Sequence, residues 1–394
     1  MTKSDALLRW ADGVDLKLRA DGQVKIELGQ HSFVCGTAVL AILDTFATPT
    51  RVGEALKSLE AKGARDFVER SALVLQLQRA GILVDASAPE ARTSVRGFDR
   101  PLIHVAMLND TARTLAFAKA LREVVRPGDV VADIGTGTGV LAIAAARVGA
   151  RRVFAVERGS IAAAAREVIA ANGLSDRITV IEGQSSAIEL PEKADVLVSE
   201  TIGDDPLGEE ILETVLDARL RLLKPGARVI PASLAVVAVP VEIPEEFLAA
   251  RRFVSGNFRR WRETYDIDFT AMEHHGEAAP QPMLVLPQEV AKWPMAGDEI
   301  GVADIHLDNH ETTEVRVDFE LTLLAAAARP GVMLFFDARL SPSTSLSTRA
   351  ADVSATNSWH CPVWSFHARG PMARGTVVPL RYTYSMGQSR LEMR

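Results

Sequence analysis

The stretch "VVADIGTGTGVLAIAAARVGA", Val130 to Ala150, decides how the chain is read. An apolar run is followed by glycines at alternate positions, Gly135, Gly137 and Gly139, and then by an alanine-rich segment of helical composition. Glycine gives up more backbone entropy on folding than any other residue. Its repetition marks a tight turn at which another molecule comes close to the main chain. Strand, glycine-rich turn and helix in this order form a recurring nucleotide platform. The spacing is not that of a dinucleotide fingerprint, and no Lys-Ser or Lys-Thr follows, so it is not a phosphate loop either.

Working outward, residues from about 98 to 232 alternate strand and helix. Strands are expected at "DVVADIG", "RVFAVE", "ITVIEG", "ADVLVSE" and "ARVIP", with near-continuous apolar runs typical of a buried parallel sheet. Asp133 ends the first strand and Glu157 the second, where a carboxylate can hold two ribose hydroxyls. The fourth strand runs into "VLVSETIGDDPLGEEIL". A loop of this shape can fold Glu200 and Glu209 toward one point. Two close carboxylates repel unless a cation lies between them, and a guanidinium satisfies both through paired hydrogen bonds. The plainer alternative is that Glu209 and Glu210 only favour a helix N-terminus.

From about 233 onward strands dominate, which predicts a β-rich barrel or sandwich. One helical insertion, "PEEFLAARRFVSGNFRRWRETYDID", interrupts them. The first ninety residues give short alternating strands, then three helical segments and a closing strand, "ILVDAS", like a small winged-helix module. Residues 86–97 form a polar linker. The net charge of −7 argues against a general polyanion binder. Two cysteines, Cys35 and Cys361, supply neither a disulfide framework nor metal-ligand spacing, and no metal is expected. No apolar run approaches the ~20 residues of a membrane span, and the start of the chain lacks a secretory layout, so a cytoplasmic setting is expected.

The "GTGTG" turn resembles motif I of class I S-adenosylmethionine-dependent methyltransferases, with Glu157 as the ribose-binding acid. Most of residues 98–394 resemble the protein arginine methyltransferases. In that family a helix before motif I carries His-x-x-Met-Leu-x-Asp-x-x-Arg-Thr. Here "HVAMLNDTARTLAFAKAL" supplies His104, Met107, Leu108, Asp110, Arg113 and Thr114 at matching spacing. The resemblance implies that Arg113 binds the cofactor's carboxylate and that Met107 lines the reactive centre. Glu200 and Glu209 match the family's two-glutamate loop, as residues that orient and polarise the acceptor nitrogen. "EGQSSAIEL" stands at the adenine-contacting segment, making Ser185 and Ser186 candidates there. "NSWHCPVW" stands at the late Thr-His-Trp loop, so Trp359 walls the site. "NFRRWRETYDIDFTAM" is similar to the part of the barrel domain that contains the dimerisation arm, which implies a homodimer.

The departures are specific. Trp-Met-Gly-Tyr after the first glutamate is replaced by Thr201, Ile202, Gly203 and Asp204, Ser358 replaces the late histidine, and Phe98 stands where the covering helix has tyrosines. His360 is either a substitute for that histidine or a surface residue. Asp204 and Asp205 are expected to keep the pocket mouth negative, suiting a cationic acceptor such as arginine, lysine or histidine.

The N-terminal segment resembles PqqD-like recognition domains, through Ala41, Ile42, Leu43, Asp66, Phe67, Leu77, Gly81, Ile82 and Leu83. That resemblance implies capture of a leader peptide of a ribosomally made precursor, by addition to a sheet edge. A packing module, or a DNA-binding winged helix against which the balanced charge argues, are the other readings. The expected architecture is thus a peptide-recognition domain at 1–90, a Rossmann-like cofactor domain at 97–232 and a β-barrel domain at 233–394, with a helical dimerisation arm at about 244–275. The expected activity is methyl transfer from S-adenosylmethionine to a side-chain nitrogen of a peptide or protein. A small-molecule methyltransferase, or a catalytically silent binding protein with this fold, are the alternatives.

Overall fold

The computed structural model describes residues 7–10, 14–19, 23–28, 31–61, 67–79, 82–86, 101–274, 282–366, 369–385 and 387–394. Gly63, Asp66, Gly81, Phe98 and the linker beyond Ala86 lie outside the described residues. The chain forms two compact units, Met1–Arg100 and Pro101–Arg394.

The first unit runs β1 (Leu7–Trp10), β2 (Val14–Leu18), β3 (Val24–Leu28), β4 (His31–Cys35), α1 (Ala38–Thr45), β5 (Thr50–Arg51), α2 (Val52–Ala61), α3 (Phe67–Arg79) and β6 (Leu83–Asp85). β2, β3 and β4 make an antiparallel meander, and β1 pairs antiparallel with both β5 and β6. Val39, Ile42, Leu43 and Phe46 are buried at helical spacing, as are Val52, Ala55 and Leu59 on α2. With Leu8, Val24, Ile26, Ile82 and Leu83 they form a core separate from that of the second unit. The Trp10 indole N–H donates to the Leu43 carbonyl at 2.5 Å and ties β1 to α1. Periodicity finds the three helices and β2, β3 and β6. It misses β1, β4 and β5; the pairing of β1 with distant β5 and β6 is decided by tertiary packing rather than by its own four residues.

The second unit opens with α4 (Pro101–Asn109) and α5 (Thr111–Val124). It continues through β7 (Val130–Ile134), α6 (Val140–Arg147), β8 (Arg152–Glu157), α7 (Ala162–Ala171), β9 (Ile178–Glu182), β10 (Ala194–Ser199), α8 (Ile211–Arg221) and β11 (Leu223–Ile230). The five strands form a parallel sheet in the order β11-β10-β7-β8-β9. Every residue of β7 is buried, which is why its sequence is apolar without alternation.

The chain then enters β12 (Ser233–Glu242), followed by α9 (Glu245–Ala249), α10 (Ser255–Tyr265), β13 (Met283–Val285), α11 (Pro287–Val290), β14 (Ile300–His306), β15 (Val315–Thr322), β16 (Pro330–Ser341), β17 (Thr344–Ser347), β18 (Cys361–Ser365), β19 (Val377–Ser385) and β20 (Gln388–Met393). One antiparallel sheet is built on β12 and β16, the other is β15-β19-β20. One apolar core runs from Phe117 through the parallel sheet to Leu391 and joins both halves of this unit, and a second, smaller cluster around Val241, Phe247, Trp293 and Phe335 lies in the β-rich half. The short or charged strands β13, β17, β18 and β20 carry too little alternation to be foreseen. On the α5 side, the Glu123 carboxylate accepts hydroxyls from Ser341 at 2.5 Å, Ser343 at 2.6 Å and Thr344 at 3.0 Å. The expected arm holds α9, α10 and a 3-10 turn at Thr270–His274. Phe253, Phe258, Trp261, Tyr265 and Phe269 form a chain of aromatic contacts along it.

Candidate active site

From β7 the chain builds outward to β8 and β9 on one side, then returns to build β10 and β11 on the other. The carboxyl ends of β7 and β10 therefore flank a topological switch point, where open α/β sheets bind ligands. The glycine turn leaves β7 there, and the loop bearing Glu200 leaves β10 beside it.

Gly135, Gly137 and Gly139 all have positive φ, at 78°, 54° and 83°. Two of these positions are also crowded by close neighbours. A Cβ on Gly135 would stand 2.8 Å from Thr201 Cγ2, and one on Gly137 would stand 3.2 Å from the buried His104 ring. The turn is thus wedged between the β10 loop and α4. Asp133 braces it from inside: Oδ2 accepts the Thr136 hydroxyl at 2.6 Å, and Oδ1 is buried with no hydrogen-bond partner. Burial raises the Asp133 carboxyl to about 7 against the pull of that hydroxyl. Glu157 accepts the main-chain N–H of Gly137 at 2.9 Å on one oxygen and that of Gly159 at 2.7 Å on the other. Each carboxylate oxygen keeps a second lone pair for an incoming hydroxyl. Glu157 ends β8 in register with Glu182 on β9, and Ser185 lies in a 3-10 turn just past β9. Ser185 is buried and Ser186 is exposed. The glycine turn, Glu157 and Ser185 thus lie in order across three adjacent strand ends.

The acid loop folds back tightly. A Cβ on Gly203 would meet Glu209 Cγ at 3.2 Å, so the Glu209 side chain lies against the Gly203 backbone rather than along the helix that follows. Arg113, on the first turn of α5, places Nη1 3.6 Å from Glu200 Oε1 and its guanidinium 4.8 Å from the Trp359 ring centre. Trp359 holds the same loop through an indole bond to the Ile202 carbonyl at 2.8 Å. Burial, reinforced by the nearby Glu209 charge and opposed by Arg113, raises Glu200 to about 8. Burial, reinforced by Asp204, raises Glu209 to about 7. Met107 is half-buried on α4, one turn after His104.

Two further contacts join this loop region to the second half of the unit. Asp110 caps α5 through Arg113 N–H, and its other oxygen accepts the Ser358 N–H at 3.1 Å and hydroxyl at 3.3 Å. Asp204 accepts the His360 N–H at 2.6 Å and faces Nδ1 of the same residue at 3.3 Å. His360 is therefore a partner of the acid loop, with 36% of its side chain exposed. Asp205 also departs from expectation. Its carboxylate accepts the Tyr382 hydroxyl at 3.1 Å and so is engaged by the barrel rather than left open at a pocket mouth.

The family model for "Ribosomal protein L11 methyltransferase (PrmA)" matches residues 111–234. A probable protein arginine N-methyltransferase 6 of Arabidopsis thaliana is 32% identical over 259 residues, 64% of this chain and 58% of its own. An arginine N(omega)-methyltransferase of Streptomyces achromogenes subsp. streptozoticus is 40% identical over 193 residues, 47% of this chain and 52% of its own. The chain thus spans between half and two thirds of these relatives. The Trypanosoma brucei PRMT1 enzyme-prozyme heterotetrameric complex with AdoHcy superposes with a TM-score of 0.61 at 26% identity, covering 73% of this chain and 89% of that one. In fold and in sequence, this part of the chain is therefore similar to protein arginine methyltransferases.

Proposed function

We propose that this chain transfers a methyl group from S-adenosylmethionine to a guanidinium nitrogen of arginine. The observation that carries the reading is the half-buried pair Glu200 and Glu209, folded together at the switch point beside a glycine turn. The bound cofactor supplies an electrophilic methyl group on a sulfonium. Glu157, through its unused lone pairs, and Arg113, through its guanidinium, suit the ribose and carboxylate of such a ligand. Gly135, Gly137 and Gly139 keep the main chain open to it, with Asp133 bracing the turn, and Ser185 and Ser186 flank the adenine end.

Two carboxylates held apart from solvent bind a planar cation through paired hydrogen bonds. They orient the acceptor nitrogen, and such positioning supplies much of the rate. Met107 and Trp359 wall the site. A guanidinium nitrogen that gains a methyl must shed a proton, and an acid pair whose affinity for protons lies near neutrality is matched to accept it.

The acceptor is the arginine side chain of a peptide or protein, recruited by the first unit as a leader peptide at an edge of its β2-β3-β4 meander that has no further strand among the described residues. Two copies pair through the aromatic arm, whose Tyr265, Ile267 and Met272 are exposed. A second reading, free arginine as acceptor, is favoured by the 40% identity to the Streptomyces protein named for arginine itself. Incubation with methyl-labelled cofactor and either free arginine or arginine-containing peptides separates the two. Label in neither acceptor, with cofactor bound, supports a catalytically silent binding protein instead.

A further inference from the structure

The acid loop is gripped from its far side by the β19–β20 hairpin. Tyr382 and Tyr384 are almost fully buried. The Tyr382 hydroxyl donates to Asp205 Oδ1 at 3.1 Å and lies 3.1 Å from the Ser389 hydroxyl. The Tyr384 hydroxyl donates to Glu213 Oε2 at 2.7 Å and accepts the Gly387 N–H at 3.2 Å. The other Glu213 oxygen, Oε1, is buried without a hydrogen-bond partner, so Tyr384 is this carboxylate's side-chain anchor among the described residues. Asp205 precedes Glu209 by four residues and Glu213 follows it by four, so the two tyrosines hold both flanks of the second acid. Between them Glu210 sits at φ 63° and ψ 34°, a left-handed conformation that a residue with a side chain adopts only when its surroundings impose it. Gly387, in the hairpin turn, supplies that surrounding: a Cβ on it would stand 3.1 Å from Glu210 Cγ.

We propose that Tyr382 and Tyr384 are positioning residues that fix Glu209 in its reactive place, by holding the backbone of residues 205–213 against the hairpin. The proposal rests on the acid-pair reading. It adds that the barrel half of the unit sets the geometry of the second carboxylate without touching the acceptor. A hydroxyl on each ring, rather than the ring alone, performs this role, because the rings are already packed in the core.

The test uses the full-length protein with Tyr382→Phe, Tyr384→Phe and the double variant. In the double variant kcat for arginine methylation falls by at least about ten-fold, as small misplacements of reacting groups do. Kd for the cofactor stays within about two-fold, while KM for the acceptor rises, since the displaced Glu209 is one of the two carboxylates that hold it. A crystal structure of the double variant shows Glu210 out of the left-handed region and Glu209 displaced from Gly203. Unchanged kcat, or an unmoved Glu209–Glu210 segment, overturns the proposal. Should the double variant not fold, Tyr384→Phe alone carries both readouts. Glu209→Gln in the same assay distinguishes the failures. Full turnover there overturns the acid-pair reading, whereas lost turnover there with undiminished turnover in the phenylalanine variants overturns the clamp alone.

Discussion

Arg113 Nη1 stands 3.6 Å from Glu200 Oε1, with only 7% and 12% of the two side chains exposed. A cation at this place offsets part of the burial that raises Glu200. Replacing Arg113 by Met keeps the bulk, removes the charge and leaves an acid whose ionised form is costlier still. Cofactor affinity is expected to fall by at least about ten-fold, the loss of one charge-assisted contact to a carboxylate. The lower limb of the kcat/KM–pH profile is expected to move to higher pH. Calorimetry and a pH–rate series check both; an unmoved limb would break the link between Arg113 and Glu200.

The pH dependence has a defined sign. Glu200 at about 8 and Glu209 at about 7 must ionise to bind a guanidinium, so kcat/KM rises from pH 6 to about 8.5 and then levels. Stability runs the other way. Both values lie above the 4.5 of an ordinary glutamate, so the folded state holds more protons than the unfolded chain between about pH 4.5 and 8. Their contribution is complete below 4.5 and is lost as pH rises through 7 and 8. Glu209→Gln is therefore expected to raise Tm over wild type at pH 8.5 and to leave it nearly level at pH 5, while abolishing turnover. Scanning calorimetry at the two pH values measures it; equal shifts at both would contradict a raised carboxyl.

Gly135 has φ 78° and almost no room, since a Cβ would meet Thr201 Cγ2 at 2.8 Å. Gly135→Ala pays for the left-handed backbone, roughly 1 kcal/mol, and for the clash as well. A loss of about 2–3 kcal/mol in unfolding free energy is expected, within the range for strained backbone sites. Thr201→Ser removes the offending methyl and keeps the hydroxyl that lies 3.1 Å from Ser199 Oγ. In the double variant only the clash is relieved, so a double-mutant cycle by denaturant unfolding should return a coupling of about 1 kcal/mol. Zero coupling would place the two loops farther apart than described.

What could be read in the sequence is what one strand, turn or helix carries by itself. The β7 turn and Glu157 at the end of β8 are local, because apolar runs and glycine spacing fix them within about thirty residues, whereas Arg113 is marked by the resemblance of its helix to the family's motif. The Ser358–Asp110, His360–Asp204 and Tyr382–Asp205 contacts join residues 248, 156 and 177 positions apart. No local pattern marks them, which is why neither the His360–Asp204 contact nor the engagement of Asp205 by the barrel is visible in the sequence. β20 escaped for a related cause. Its residues are mostly polar, only Leu391 is buried, and its pairing with β19 is supplied by the hairpin rather than by alternation.

Glu123 gives a prediction about the junction between α5 and the β16–β17 turn. Hydrogen bonds from Ser341 and Ser343, with Thr344 and the Lys119 charge adding to them, hold its carboxyl down at about 2. A depressed carboxyl stabilises the fold above its ordinary value of 4.5, and that contribution fades as pH falls from 4.5 toward 2. Glu123→Gln keeps the shape but offers one acceptor oxygen where three hydroxyls converge. The variant should unfold at lower temperature than wild type at pH 7, and the gap should close as the pH is lowered to about 2.5. Thermal unfolding of both proteins across that range tests it. A gap that stays constant would assign the loss to packing, and no gap at pH 7 would mean that the three hydroxyls do not favour the ionised carboxylate.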